Sequence, residues 1–299
     1  MWFRNLQIFR LGDEWRWELQ QLSEKLARTG FQSCGALDMQ SRGWVPPRGE
    51  DGELVLAVNR QWLLALGVEQ KLLPASVVRQ YAQGRIEELE AQQGYKVGSR
   101  QARDIREQIT SELLPRALVK RRLTYAWIDP VNHWFVVDAA SPAKAEEVIE
   151  QLKESLDDVP MKLLRTRLSP ASAMTGWLTT GEAPAGFTID RDCELKAAGE
   201  EKAMVRYVRH DLDAGELRHH LESGKTATKL ALTWRDRISF VLTEQLQVKR
   251  LAFLDILKED AERQAEQGAD LFEADFALMS GELPQLLADL ATALDGEAD

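Results

Sequence analysis

The chain has 299 residues, of which 44% are hydrophobic and 29% are charged, and its formal net charge is −10. This composition is typical of a globular protein of two or three domains and excludes a disordered chain. No apolar run approaches the ~18 residues that a membrane span requires, and the N-terminus lacks the apolar segment of a secretory signal. We therefore expect a cytoplasmic protein without membrane contact, in which free thiols at Cys34 and Cys193 are the default and a disulfide between them stays open.

The negative charge is concentrated at the C-terminal end. Residues 251–299 contain thirteen acidic and two basic residues, so residues 1–250 are close to neutral. Two segments, 76–122 and 202–250, each contain ten basic and six acidic residues. Because a polyanion responds to the local field and not to the total charge, the net charge does not exclude a nucleic-acid partner.

The first 73 residues alternate between predicted strands and one helix. Residues 2–11 are rich in aromatic and branched side chains, which favours a strand. A helix follows, and Gly30 suits its end. The run Gly43-Trp44-Val45-Pro46-Pro47 is too rich in proline for regular structure, so we predict a loop there with a buried Trp44. Two further strands, joined by a turn at Asn59-Arg60, are predicted at residues 54–58 and 62–66.

Residues 74–122 form a helical excursion between two pairs of strands. The first helix begins after Pro74, and the second is predicted from about residue 99 to 114, where Pro115 ends it. Strands and a helix then follow at residues 123–128, 133–137 and from Ser141-Pro142. An excursion of this kind most simply indicates a subdomain that projects from a layer of sheet and helices.

The second half, from about residue 161, is also mixed. Its predicted elements are a helix from Ser169-Pro170, strands at 187–189, 193–196 and 204–210, a short helix that ends at Gly224, strands at 226–234, 238–243 and 248–251, and a final helix at 284–294. A turn at Arg235-Asp236 is predicted to join the strands 226–234 and 238–243. We therefore predict an α+β fold. It has a discontinuous unit of strands and helices (1–73 and 123–160), a projecting helical subdomain (74–122) and an α+β domain (161–299).

Catalytic motifs are not found. Gly224-Lys225-Thr226 resembles the end of a phosphate-binding P-loop, but His219 stands where that motif requires its first glycine, and the predicted helix precedes the strand. His219 and His220 are neighbours on a helix and point in different directions, so they do not form a metal site with His210. We expect no enzyme activity, no metal and no cofactor.

Basic residues recur in both basic segments without a base-reading motif. Arg103 and Arg106 lie three apart and share one face of their helix. On the predicted strand 204–210, Arg206 and His210 share a face and Arg209 points the other way. Repeated charge of this kind is typical of phosphate contacts that ignore base sequence. On the residues alone, an ordinary solvated surface is the more frequent explanation.

Several strings, taken together, resemble the bacterial recombination-associated protein RdgC family. They lie in one order along nearly the whole chain, and their joint occurrence is specific although none is a catalytic signature. They are Trp2-Phe3-Arg4-Asn5-Leu6, Gly43-Trp44-Val45-Pro46-Pro47, Leu113-Leu114-Pro115-Arg116-Ala117, Trp127-Ile128-Asp129 with Asn132, ESGKTATKLALTW (222–234), Lys249-Arg250-Leu251, and residues 275–283.

The resemblance implies a non-enzymatic, nucleoid-associated protein that binds DNA with little sequence preference. Two curved subunits would form a ring around double-stranded DNA and limit access of the RecA recombinase. Binding of single-stranded DNA stays open. Residues 74–122 would be the tip, which meets the partner's tip, and residues 161–299 the base, which closes the other side. The rest of the chain, 1–73 and 123–160, would be the centre.

Site residues follow from the basic clusters and from the resemblance. Arg116 belongs to the tip string, and Leu118 stands where some relatives have phenylalanine. The predicted DNA-contacting residues are Arg100, Arg103, Arg106, Arg116, Lys120, Arg121, Arg209, His210, Lys225 and Lys229. The predicted dimer interface contains Leu114 and Leu118. The alternative is a protein–protein adaptor that uses the helical hairpin as its docking surface.

Overall fold

The computed structural model describes residues 1–49, 52–198, 203–212, 215–266 and 270–298. Over these residues it has twelve strands and eight α-helices. The strands are β1 (Leu6–Leu11), β2 (Gln40–Val45), β3 (Leu56–Val58), β4 (Gln61–Leu72), β5 (Leu118–Asp129), β6 (Trp134–Asp138), β7 (Met161–Leu163), β8 (Phe187–Ala197), β9 (Met204–Tyr207), β10 (Lys225–Trp234), β11 (Ile238–Thr243) and β12 (Val248–Phe253). The helices are α1 (Leu19–Ala27), α2 (Ala75–Gln93), α3 (Ser99–Leu113), α4 (Pro142–Ser155), α5 (Pro170–Thr180), α6 (Gly215–Glu222), α7 (Asp255–Glu266) and α8 (Leu271–Ala293).

All twelve strands belong to one antiparallel sheet. Its main path runs β2-β4-β5-β6-β1-β12-β11-β10-β8-β9, with β3 paired to β4 and β7 paired to β1. The strands of the first and second halves meet at β1, which pairs with β12 at Leu6 and Val248 and with β7 at its other end. The predicted mixture of helices and strands is confirmed as an α+β fold with a large antiparallel sheet.

Alternate side chains of the central strands enter two different cores. On β6, Trp134 and Val136 face a core that also contains side chains of α5, α6 and α8. Phe135 and Val137 face the opposite core, which is covered by α1 and α4. Since a strand places successive side chains on opposite faces, β6 is buried on both. A third, small core lies between α2 and α3.

The predicted loop at Gly43-Trp44-Val45 is wrong, because these residues belong to β2. A Cβ atom at Gly43 would lie 2.5 Å from the Cα atom of Phe31, so glycine lets the preceding chain cross the strand closely. The buried position predicted for Trp44 is confirmed, and its indole N–H donates to Ser155 Oγ at 2.8 Å. The prolines follow the strand and end it.

The final helix begins well before Pro284, where it was predicted to start. Asp270 caps α8 by accepting hydrogen bonds from the backbone N–H groups of Phe272 and Glu273. Phe276 and Met279 are buried helical residues that contribute to the same core as the later leucines. Pro284 is tolerated inside this helix because the surrounding apolar contacts hold the helix together.

Several other strands differ in length from the prediction. Strand β4 continues to Leu72 and β5 starts at Leu118, so this pair extends beyond the predicted strands into residues 118–122. In contrast, β9 ends at Tyr207 and not at His210. The predicted turns at Asn59-Arg60 and Arg235-Asp236 are confirmed, with positive φ at all four residues. Within the described ranges, no helix combines the length and apolar character of a membrane span.

Replacing Leu290 by alanine tests whether α8 stabilises the sheet. Leu290 is 1% exposed and lies in the core shared with β1, β5 and β6. We expect Leu290→Ala to lower the free energy of unfolding by about 2–5 kcal/mol, measured by urea denaturation. Leu271→Ala, at a 50% exposed leucine of the same helix, should cost less than about 0.5 kcal/mol. Equal losses in the two variants would contradict the burial of α8 against the sheet.

Candidate nucleic-acid interface

The helix α3 presents the first three predicted arginines to solvent. Its buried side chains, Ile105 and Ile109, face α2, and Arg100, Arg103 and Arg106 are all exposed. Arg103 Nε lies 2.9 Å from a carboxylate oxygen of Glu107 on the next turn, so part of its charge is neutralised. Arg100 and Arg106 have no ion pair among the described residues. The face predicted for Arg103 and Arg106 is therefore exposed but only partly free to bind an anion.

The predicted basic residues at the start of β5 point to both sides of the sheet. Arg116 and Lys120 are exposed and have no ion pair within the described part of the chain. Lys120 lies on the side of the sheet that α1 and α4 cover farther along the strand. Arg121 points to the other side, where its guanidinium Nε lies 2.6 Å from Glu69. The structure therefore does not bring Lys120 and Arg121 together.

Glu69 uses this contact to hold the segment after α1 against β4. It accepts a hydrogen bond from the backbone N–H of Cys34 at 2.9 Å as well as from Arg121. These two interactions hold the pKa of the buried Glu69 carboxyl below its ordinary value. Beside it, Lys71 Nζ donates to the carbonyl oxygens of Gly35 and Ala36 at 2.8 and 2.6 Å. This arrangement explains Arg121 as a structural residue.

The two predicted interface leucines differ in exposure. Leu114 is 4% exposed and is therefore covered within its own chain. Leu118 is 77% exposed, and it begins β5 next to the exposed Leu72 of β4. An apolar contact with a second molecule is thus available to Leu118 without any rearrangement of the chain.

A β-bulge separates the two predicted lysines of β10. Lys225 and Lys229 lie four apart, a spacing that places both on one face of a regular strand. The register against β8 shifts between Ala227 and Lys229. Ala227 and Leu230 both enter the core with α5 and α8, so Lys225 is on the helix side of the sheet and Lys229 on the other side.

Lys225 belongs to a group of rings beside α6. Its Nζ lies 3.1 Å from Nδ1 of His220 and 3.2 Å from Ser223 Oγ. The ring of Tyr207 lies 5.3 Å from that of His210 and 6.4 Å from that of His220, centroid to centroid. Two predicted site residues, His210 and Lys225, are therefore gathered at this edge of the base.

The prediction that Arg206 and His210 share a strand face is wrong. The strand ends at Tyr207, and Arg209 has a left-handed φ of 53°. This turn places His210 beside the ring of Tyr207, whereas Arg206 lies opposite Glu194 in the register of β9 and β8. Arg209 is exposed, and its backbone N–H donates to Asp192 at 2.8 Å.

Lys229 lies on the side of strands β8 to β12 that α5, α6 and α8 do not cover. We call this surface, on strands β8 to β12, the open face. It contains a cleft of about 320 Å³ that Asn5 also lines. Four basic side chains surround the cleft, namely Arg206, Lys229, Lys249 and Arg250. The other three were not among the predicted DNA-contacting residues, because the pairing of five strands is needed to bring them beside Lys229.

Two of these four cations are paired with acids on the same face. Lys229 Nζ lies 2.9 Å from Glu194, and Arg250 Nη1 lies 3.6 Å from Asp192. Burial disfavours the charged form of Glu194, but hydrogen bonds from Lys229 and Thr228 outweigh it, so its pKa lies below the ordinary value. Arg206 and Lys249 have no ion pair within 4.0 Å among the described residues. Arg206 lies opposite Glu194 and helps to lower the pKa of that carboxyl without forming an ion pair with it.

The open face and Lys120 are on the same side of the continuous sheet. Five strand spacings separate β5 from β10, which corresponds to ~24 Å at ~4.8 Å per strand. On that side, α1 and α4 cover the core formed with β1, β4, β5 and β6. The arrangement offers two separated sets of cations, suited to contacts with an extended anion.

Across the described residues, no cluster of three or more His, Cys, Asp or Glu side chains could hold a metal ion.

Replacing Glu69 by glutamine tests the role of its carboxylate. A carboxyl whose pKa is lowered by folding stabilises the protein above its ordinary pKa of 4.5 and loses this effect as the pH falls. We expect Glu69→Gln to lower the urea midpoint at pH 7, and the difference from the parent to shrink between pH 5 and pH 3. Glu107→Gln, at an exposed ion pair, should change stability by less than about 1 kcal/mol. A pH-independent difference for Glu69→Gln would contradict this account.

Comparison with known proteins gives one consistent family. A family model described as "Putative exonuclease, RdgC" matches residues 1–297. The chain is 58% identical to a recombination-associated protein RdgC of Dechloromonas aromatica (strain RCB), covering 99% of this chain and 98% of that protein. It is 52% identical to the protein of that name from Janthinobacterium sp. (strain Marseille), over 100% and 99% of the two chains. The Bordetella parapertussis protein of the same name is 51% identical over 99% of each chain. The chain therefore belongs to the RdgC family of recombination-associated proteins.

Proposed function

We propose that this protein binds double-stranded DNA through its phosphates, with little preference for base sequence. The observation that carries the proposal is the open face, where Arg206 and Lys249 line the cleft and form no ion pair within 4.0 Å among the described residues. Side chains that bind phosphate supply affinity without sequence information. The relatives' shared name links the family to recombination, a process that acts on DNA.

The second part of the proposal is a ring-shaped homodimer. A two-fold axis would double each set of cations and turn both copies toward one bound duplex. The exposure of Leu118 supports an apolar contact between the two tips, residues 74–122. The helix α8, which carries Glu273, Asp275, Glu282 and Asp289, packs on the other side of the sheet from the open face. This division keeps these four C-terminal acids away from the proposed DNA path.

Occupation of DNA by this dimer would limit the access of the RecA recombinase and place the protein in the nucleoid. We propose a role without catalysis, although the description of the matching family model names an exonuclease. The two activities differ in a simple observable, since a nuclease shortens its DNA and a binding protein leaves it intact. We expect the variants described below that bind DNA more weakly also to inhibit RecA-promoted strand exchange more weakly.

The first test is duplex binding measured by fluorescence anisotropy over a salt series. We expect the logarithm of the affinity to fall linearly with the logarithm of salt concentration, with a slope of about −0.9 per phosphate contact. Lys249→Gln and Arg116→Gln should each weaken binding to every duplex sequence alike and reduce the slope by about 0.9, the effect of one lost contact. End-labelled duplex incubated with the protein and Mg²⁺ should keep its full length.

Lys162→Gln is the matched control for these variants. Lys162 is also exposed. It lies opposite Arg10 in the register of β7 and β1, on the side of the sheet opposite the open face. Its replacement should leave affinity and slope unchanged. Binding that ignores salt, or equal losses in all three variants, would refute the proposed interface. Absence of DNA binding at low salt would favour the adaptor hypothesis, and shortened DNA would favour the exonuclease.

The second test concerns Leu118. Leu118→Asp introduces a charge at an exposed position where we propose an apolar contact between subunits, so we expect the mass by light scattering to shift from dimer toward monomer. DNA affinity should fall with it, because each monomer has only half the contacts. Leu37→Asp, at a leucine that is 65% exposed elsewhere on the surface, is the control. An unchanged dimer in Leu118→Asp would exclude this contact.

A further inference from the structure

The open face holds two carboxylates among its four cations. The side chain of Glu194 is only 11% exposed, and it accepts hydrogen bonds from Lys229 Nζ and Thr228 Oγ1, both at 2.9 Å. Asp192 lies 3.6 Å from Arg250 and accepts the backbone N–H of Arg209. Both acids lie on β8, near the middle of the open face, with Arg206 directly opposite Glu194 on β9. An acid at this place opposes the binding of a polyanion.

These contacts are built into the strand pairing. Glu194 is opposite Lys229 in the register of β8 and β10, at the point where the β-bulge turns Lys229 onto the open face. The hydroxyl of Thr228 holds the other carboxylate oxygen, so the side chain has little freedom to swing away. Because Glu194 is already ionised and in place, it presents to Lys229 the same partner that a DNA phosphate would offer.

We propose that Glu194, assisted by Asp192, acts as an internal substitute for phosphate that weakens DNA binding at the open face. This inference rests on the proposed function. A phosphate that approaches Lys229 must share the ammonium group with Glu194 and meets the repulsion of a fixed negative charge. The binding face thus contains its own competitor, which favours rapid release of DNA over tight retention.

The consequence for salt dependence is specific. In the parent, Lys229 neutralises Glu194 and contributes little to counterion release from DNA. Once the carboxylate is removed, Lys229 becomes a free cation beside Arg206 and Lys249 and can neutralise a phosphate. Affinity then rises, and the salt slope becomes steeper because one more counterion is released on binding.

The test is duplex binding by Glu194→Gln, which keeps the size and hydrogen-bonding oxygen of the side chain. We expect affinity at low salt to rise by about fivefold to tenfold, on the order expected for one nearby charge, and the gain to shrink as salt increases. The slope should become more negative by about 0.9. Asp192→Asn should act in the same direction with a smaller gain, because its ion pair is longer.

Glu282→Gln is the matched control. Glu282 is 15% exposed and lies 2.8 Å from Arg237, so it resembles Glu194 in burial and pairing, but it belongs to α8 on the other side of the sheet. Each variant removes one negative charge from the chain, so a global charge effect would appear in both. We expect the affinity of Glu282→Gln to stay within twofold of the parent.

The outcomes separate the inference from the function on which it rests. If the parent does not bind duplex DNA, the proposed function fails. If the parent binds but Glu194→Gln and Asp192→Asn bind no more tightly, or Glu282→Gln gains as much, the inference fails and the proposed function stands. Urea midpoints of all variants are measured in parallel, and Asp192→Asn decides the matter if Glu194→Gln does not fold.

Discussion

The pairing of β1 on both sides is the constraint on which the rest of the structure depends. This strand of six residues joins β6 of the first half to β12 of the second, and its end also pairs with β7. Leu6 and Ile8 enter the core beneath α8, while Leu11 enters the core beneath α1 and α4. Because one short strand serves both cores, the two halves of the chain share a single sheet and its apolar interior.

The continuous sheet also separates charge by side. Helices α5, α6 and α8 cover one side of the second half, and α8 brings much of the C-terminal acidity with it. Several of these acids are paired locally, as Asp289 is with Arg235 and Glu282 with Arg237. Among the residues that the structure describes, none of these helices covers the other side of β8 to β12, so its cations remain accessible. A net charge of −10 therefore coexists with a local basic surface, which is the quantity that attracts a polyanion.

Local signals predicted the turns, most strands and the α+β class, because these depend on residues that are close in sequence. The turn Arg235-Asp236 and the buried Trp44 are examples. The site was harder to predict. A single bulge near Ala227 reverses the side on which Lys229 lies, and Lys249 becomes its neighbour only through the pairing of β10, β11 and β12. The helix start predicted at Pro284 was wrong for a related reason. Proline locally favours the first turn of a helix, but long-range packing sustains α8 through this residue.

Glu69 and Glu194 show how one kind of contact can have two roles. Each is a largely buried acid on a strand, each pairs with a basic residue of the neighbouring strand, and each has a lowered pKa. Glu69 also accepts the backbone N–H of Cys34, so its charge fixes a chain segment over the sheet. Within the described ranges, the side chain of Glu194 accepts only from the side chains of Thr228 and Lys229, and it lines an open cleft with four cations. The same electrostatic attraction therefore stabilises the fold at one site, whereas at the other it sets how strongly an anion from solution can compete for the lysine.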